Sequence, residues 1–570
     1  MTTETSAGAT PAPLDRNRRP VGEPPSGSGD GVARGSLLMA SGSLASRVLG
    51  VFRMTLIAWV FGVVTSAGNA WQVANTLPTT VYMLIAAGVI NAVFVPQLTR
   101  AAQRPDGGRE YVDTLITLAL LLLGGATLVA IPLAPGLVWL FAPHDPAWPG
   151  ATFDLAVAFA YVVLPSVFFY GLYAVLGQVL NAQNKFGAYG WAPALCNVVW
   201  LIGLAAFLIA YPGQGRAVED WRTPMIVLIG GSMTVGVALQ ALALLIPLLR
   251  SGWRYRPRFA FRGVGLGTAG RIATWTVAGI GATQAALAVA SQVLNSVTDG
   301  HVGRLGFDSA FFLFMTPHGL ISVSLATALF TAMSSAAARQ DLYGVRTHLR
   351  RGLRLIGVAT IPVTVAGLCL ANAGTAIVFA GNPLEETREV AQVFLVLVLA
   401  LLPFGVFFLV QRAFYAFEDA RTPFYLAMIA AVVFAVGSLA AMAVPSGQRA
   451  VVVAIAATLS DVVAAAVGLR WVTARLGGMR LLDVAESWTR ALFASLVAGL
   501  WTLLFVGILQ ALLPGRGGAV LTLILGGGVF VVAYLATGRW LRIRELGELL
   551  GPVLRRVPRL GAAYGGRGRA

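Results

Sequence analysis

Residues 37–63 read Leu-Leu-Met-Ala-Ser-Gly-Ser-Leu-Ala-Ser-Arg-Val-Leu-Gly-Val-Phe-Arg-Met-Thr-Leu-Ile-Ala-Trp-Val-Phe-Gly-Val. A helix crosses a bilayer with about 20 predominantly apolar residues, and this run is long enough. It holds no acid and two cations, Arg47 and Arg53. At about 100° per residue, Ser43, Ser46, Arg47, Gly50 and Arg53 share one sector of roughly 120°. The remaining faces carry Leu49, Val51, Phe52 and Leu56. Charge facing lipid is costly, so the polar stripe predicts a span that turns its arginines toward a wet cavity. Arg47 alone could instead snorkel to the inner headgroups. That escape is harder for Arg53, about 9 Å further along the axis.

The rest of the chain has the same character. Of 570 residues, 57% are hydrophobic and 11% charged, against about 25% charged in soluble domains. Fourteen apolar runs can be marked, the second at 68–99, the third at 112–142, the eighth at 307–336 and the last at 517–538. The fold class expected is all-α integral membrane, with about 14 transmembrane helices. The net charge of +17 does not point to nucleic acid, because the arginines sit in short clusters between apolar runs. Arg100, Arg104 and Arg109 follow the second run. Arg250, Arg254, Arg256, Arg258 and Arg262 follow the sixth, and Arg542, Arg544, Arg555, Arg556 and Arg559 the last. The alternate loops are richer in acids, among them Asp145, Glu219, Asp220 and Asp299. This alternation predicts cytoplasmic termini and a cell (inner) membrane location. Residues 1–35, rich in Pro, Gly, Ser and Thr, read as a disordered cytoplasmic tail.

An internal repeat is visible in the prolines. Pro78 and Pro317 lie 239 residues apart, and Pro165 and Pro403 lie 238 apart. Each of the latter pair precedes an aromatic run, Val167-Phe168-Phe169 and Val406-Phe407-Phe408. Proline removes a backbone bond and kinks a membrane helix. Matching kinks predict two pseudo-symmetric six-helix lobes plus two C-terminal helices. Even helix counts make the repeats parallel. The divisions expected are a tail at 1–35, a first lobe at 36–250, a second at 251–480, two helices at 481–540 and a basic cytoplasmic tail at 541–570.

Polar groups inside the spans mark the candidate site. The second run carries Asn69, Gln72, Asn75, Thr76, Thr79 and Thr80 at helical spacing, with Asn91 further on. The eighth carries His318 and Ser322 beside Pro317, and Asp461 lies within the twelfth. His318 is read either as a packing residue or as a relay. Asp461 is read as an arginine partner, an ion ligand or a local cap. Two guanidinium groups among amides and hydroxyls suit an anionic, sugar-bearing or peptide-bearing substrate. The substrate-binding set expected is Ser43, Arg47, Gly50, Arg53, Asn69, Gln72, Asn75 and His318. No cofactor, metal or enzymatic activity is expected. Cys196 and Cys369 fall in apolar runs, and no P-loop or nucleophile motif is present.

Several strings together invite a family. They are Ser46–Arg53, Ala86–Pro96, and Val179–Gly187 with Ala192, Pro193 and Asn197, followed by Phe414–Pro423. From about residue 36 to residue 540 the chain resembles the MurJ (MviN) family of lipid II flippases. The Pro317-His318 pair is similar to the actinobacterial branch. The resemblance implies the fold of the multidrug/oligosaccharidyl-lipid/polysaccharide (MOP) exporter superfamily and alternating access. The implied substrate is lipid II, the undecaprenyl-pyrophosphate precursor of peptidoglycan, or a related polyprenyl-pyrophosphate lipid. Membrane lipids and cell-wall synthesis proteins are further implied partners. Arg47 and Arg53 fall on the two first-helix arginines thought to engage the pyrophosphate. The last two helices fall on those thought to form a groove for the lipid tail. Four charged positions of the family are replaced, at Asn69, Ala87, near Tyr82 and near Phe312. The alternatives are export of another polyprenyl-linked saccharide or a drug, and a non-transporting scaffold of cell-wall synthesis.

Overall fold

The computed structural model of the chain describes residues 28–85, 109–143, 148, 150–182, 185–250, 252–253, 255–259 and 266–554. Residues 1–27, Asn91, the Ala86–Pro96 string, Asp145, Arg254, Arg262 and the arginines beyond residue 554 lie outside them. Among the described residues the chain is helical throughout, with no strand.

The first half carries α1 (Ser28–Phe61), α2 (Ser66–Ile85), α3 (Arg109–Ala130) and the short α4 (Ala134–Phe141). It continues with α5 (Gly150–Val163), α6 (Ser166–Ala182), α7 (Phe186–Ala210), α8 (Thr223–Ala243) and α9 (Leu245–Arg250). The second half carries α10 (Leu266–Asn295), α11 (Arg304–Ala338), α12 (Leu342–Val378), α13 (Leu384–Leu399) and α14 (Leu401–Ala416). Next come α15 (Arg421–Ala440), α16 (Arg449–Arg475), α17 (Leu482–Leu512) and α18 (Arg516–Leu521). The last are α19 (Gly527–Trp540) and α20 (Arg544–Leu554). Helix α1 starts inside the stretch read as a tail.

Among the described residues, twelve helical segments are long and apolar enough to cross a membrane, and a thirteenth crossing is the pair α13 and α14, bent by 44°. The expected second crossing is α2, left out of that count by its amides and hydroxyls. The third expected run divides into α3 and α4 because Pro132 cannot continue the helix and Pro135 starts the next one. Large apolar side chains such as Leu128, Ile209 and Val532 point outward, as a lipid-facing surface requires.

The duplication is visible in which helices touch. Helix α1 packs on α7 as α10 packs on α15, and α7 on α8 as α15 on α16. Helix α2 packs on α5 as α11 packs on α13, and α3 on α6 as α12 on α14. The proline breaks also correspond. Leu164 and Pro165 separate α5 from α6, and Ala400, three residues before Pro403, separates α13 from α14. Both broken pairs pack on the last long helix of their own lobe, α8 in the first and α16 in the second. The two C-terminal spans stand outside the repeat: α17 packs on α12, and α19 on α17.

Candidate functional site: a polar seam between the lobes

Helix α1 lies between the lobes and shows a different face to each. Toward α7 the two backbones touch. A side-chain carbon added at Gly42 would lie 2.5 Å from the carbonyl oxygen of Gly190, the close approach that small residues allow between membrane helices. Further along, Asn197 donates from Nδ2 to the carbonyl oxygen of Ser46 at 2.9 Å and to its Oγ at 3.0 Å. The Oδ1 of Asn197 accepts from Arg53 Nη1 at 2.7 Å. The Arg53 guanidinium also lies over the ring of Trp200, 4.4 Å from its centroid, a favourable cation–π placement. Arg53 is therefore held inside the first lobe.

The other face meets the second lobe. Gly50 faces the ring of Phe312, 3.4 Å from where a side-chain carbon would sit. One turn away, Arg47 donates from Nη1 to the carbonyl oxygen of Thr316 across a 3.4 Å gap. A carbon added at Gly319 would lie 2.6 Å from the Arg47 guanidinium nitrogens. Glycine at 319 thus leaves the space that Arg47 fills. Among the described residues neither Arg47 nor Arg53 has a carboxylate partner. Arg47 lies about 21 Å from the Phe61 end of the apolar stretch Ser41–Phe61 and about 9 Å from its start by helical rise, nearer the end that carries the termini. At a similar depth Gln284 of α10 donates from Nε2 to Thr80 Oγ1 of α2 at 2.8 Å.

The end of the bundle where α1 meets α2 is sealed. Asp299 Oδ1 accepts from the backbone N and the Oγ of Ser66, each at 2.7 Å. The Gly300 amide donates to the Val64 carbonyl oxygen at 3.0 Å. Asn69 is 2% exposed, and its Oδ1 accepts from the Leu305 amide at 3.1 Å. It thereby satisfies one of the orphan donors in the first turn of α11, as a helix cap does. Gln72 donates from Nε2 to Asp308 Oδ2 at 2.8 Å, and the same oxygen accepts from Nε of the buried Arg304 at 2.8 Å. The floor beneath this seal is aromatic. Phe61 stacks between Trp71 and Trp221, with ring centroids 5.3 and 4.9 Å away.

The expected site residues thus separate into groups. Arg47 and Gly50 share the inter-lobe seam. Asn75 lies along α2, half-buried and without a hydrogen-bonding partner among the described residues. Asn69 and Gln72 are engaged in holding α2 to α11. Ser46 and Arg53 turn to α7, and Ser43 is exposed. His318, next to the Gly319 that leaves room for Arg47, is 1% exposed, and its ring packs 4.2 Å from that of Phe404 and 5.7 Å from that of Phe408. It lies between α11 and α14 within the second lobe. Asp461 has no ionic or hydrogen-bonding partner among the described residues.

The sequence reading does not single out Arg304 and Asp308: Arg304 falls outside the run at 307–336, and Asp308 stands at its edge without a visible partner. Their spacing of four, on a helix that begins at Arg304, was the available signal. Asn197 was visible as part of a string but not as the residue that holds Arg53.

Two six-helix lobes, sealed at one end and bridged within the spans by an arginine without a carboxylate partner among the described residues, define a two-lobed membrane transporter. The family model described as "Lipid II flippase MurJ" matches residues 57–516. The chain belongs to the MurJ family. It is 29% identical to a probable lipid II flippase MurJ of Bdellovibrio bacteriovorus, over 54% of this chain and 57% of that one. It is 26% identical to the lipid II flippase MurJ of Burkholderia cenocepacia, over 69% of this chain and 75% of that one. Among solved structures it resembles a lipid II flippase MurJ in an inward closed conformation. That match has a TM-score of 0.66 and 18% identity, covering 89% of this chain and 99% of the other. An inward-facing multidrug resistance MATE family transporter of the MOP superfamily matches with a TM-score of 0.58 and 16% identity, over 75% and 94% of the two chains. The last two likenesses carry the fold.

Proposed function

We propose that this chain moves lipid II from the inner to the outer leaflet of the cell membrane by alternating access. Family membership supports the substrate. The observation that carries the mechanism is the placement of Arg47: a guanidinium within the span, on the surface where the lobes meet, bound among the described residues to a backbone carbonyl alone. Weakly held in this way, it is available to a pyrophosphate, whose oxygens match its forked donors. Asn75 adds an uncommitted amide for the sugar or peptide. Arg53, clamped by Asn197 and Trp200, contributes field and holds α1 in register.

The alternating basic loops support cytoplasmic termini. The sealed end, opposite the termini, then faces outward. On this reading the seam loads from the cytoplasmic side, and movement to the other leaflet requires the bonds at Ser66, Asn69 and Gln72 to part. The lobes at 36–250 and 251–480 and the pair at 481–540 are the working divisions of this reading; α1 and α20 carry helix into the stretches 1–35 and 541–570 that were expected to be tails. The outward apolar side chains of α17, such as Leu500, Trp501 and Leu504, suit contact with a polyprenyl tail. Cell-wall synthesis proteins are the partners such an activity implies.

Depletion of the protein in its own cells tests the reading. Lipid II is expected to build up on the cytoplasmic side, where external reagents cannot reach it. Accumulation of a different lipid-linked sugar, with lipid II still reaching the outer leaflet, would count against it.

A further inference from the structure

At the end of the bundle that carries the termini, α12, α17 and the turn into α20 enclose a cavity of about 240 Å³. Its lining includes Arg354, Arg490, Arg542 and Arg544 together with Asp483 and Glu545. The acids there are already engaged. Asp483 pairs with Arg350 at 2.7 Å and with Arg354 at 3.0 Å. Glu545 pairs with Arg354 at 3.3 Å and accepts from Ser487 Oγ at 3.0 Å. Arg490 pairs with Glu486. Arg542 and Arg544 are exposed, and their side chains have no partner among the described residues. The cavity therefore has two uncommitted guanidinium groups and no uncommitted carboxylate.

Two further observations place this cavity at headgroup depth. Trp540, the last residue of α19, is 74% exposed, and an outward tryptophan at the end of a span sits at the membrane–water interface. Helix α20 folds back beneath the bundle and buries Ile543 and Leu546 against Tyr534. Arg354 and Arg351 of α12 hold it in place through Glu545 and Glu548. An amphipathic helix in that position lies in the interface plane.

We propose that this cavity is a binding site for the phosphate of an anionic glycerophospholipid, in the leaflet that faces the termini. At that depth the lipid phosphate is the concentrated anion, and paired arginine forks match its oxygens. The site is separate from the seam, so it does not depend on what the seam transports.

The test uses the purified full chain and native mass spectrometry with phosphatidylglycerol, phosphatidylcholine or inorganic phosphate. Arg542 has a left-handed backbone, φ 55°, so it is changed to Asn, which tolerates that conformation, and Arg544 is changed to Gln. Wild type should retain phosphatidylglycerol in preference to phosphatidylcholine. Arg542→Asn/Arg544→Gln should retain it about 25-fold less well, about fivefold for each basic residue near a membrane surface. Arg542→Lys/Arg544→Lys should recover part of the loss, which a folding defect would not allow. Equal retention by wild type and the Asn/Gln variant would overturn the proposal. So would equal retention of the two lipids, or displacement of the lipid by inorganic phosphate at equal concentration.

Discussion

Replacing Arg47 by alanine is expected to cut lipid II movement about a hundredfold at unchanged protein abundance. Two charge-assisted bonds to phosphate, each contributing about 1.5–3 kcal/mol, are lost together, and about 2.8 kcal/mol already corresponds to a hundredfold. Folding should be spared, because among the described residues the only hydrogen bond of Arg47 is a long one to the Thr316 carbonyl. Lysine should restore activity partly, since it keeps the charge and loses the fork. The adjacent arginine gives the contrast. Arg53→Ala removes a 2.7 Å bond to Asn197 and the contact with Trp200, so it should lower stability by about 1–3 kcal/mol as well as activity. Comparing transport with membrane abundance for the two variants separates these roles. Wild-type transport by Arg47→Ala at normal abundance would remove Arg47 from the substrate path.

Joining the lobes at the sealed end should stop transport altogether. The Oγ of Ser66 and the carboxylate of Asp299 meet at 2.7 Å across the seam, so Ser66→Cys with Asp299→Cys places two thiols within bridging reach. The native Cys196 and Cys369 are first replaced by alanine. Oxidation should reduce lipid II movement to background, and dithiothreitol should restore it. Alternating access needs these ends to separate, so a covalent bridge there is incompatible with turnover. Full movement by the bridged protein would show that the seal takes no part in the cycle.

The spans were legible because a bilayer demands long apolar runs, and the lobes because the spacing of Pro78, Pro165, Pro317 and Pro403 repeats, with helix breaks at or near Pro165 and Pro403. The polar stripe on α1 was legible as a stripe. What a helical wheel cannot give is the identity of the neighbour on each side. Arg47 and Arg53 share a broad sector, yet one meets α11 and the other α7, because α1 is wedged between the lobes and six residues turn the helix by about 240° relative to full turns, leaving the two side chains at the sector's opposite edges. Asn69 and Gln72 looked like ligand-binding amides because their periodicity marks a polar face. That face meets the start of α11, whose unpaired amide and Asp308 take both side chains. His318 looked like a cavity residue beside Pro317. The aromatic pair Phe404 and Phe408, distant in sequence, encloses it within the second lobe.

The most direct measurement of the central claim is translocation of lipid II by the purified full chain reconstituted in vesicles, followed through the accessibility of its headgroup to an external modifying reagent. The account predicts that lipid II crosses faster with the wild-type chain than in protein-free vesicles, and that Arg47→Ala and the oxidised Ser66→Cys/Asp299→Cys protein fall toward the protein-free rate. Crossing at the protein-free rate with the wild-type chain, in vesicles where another polyprenyl-linked saccharide does cross, would contradict it.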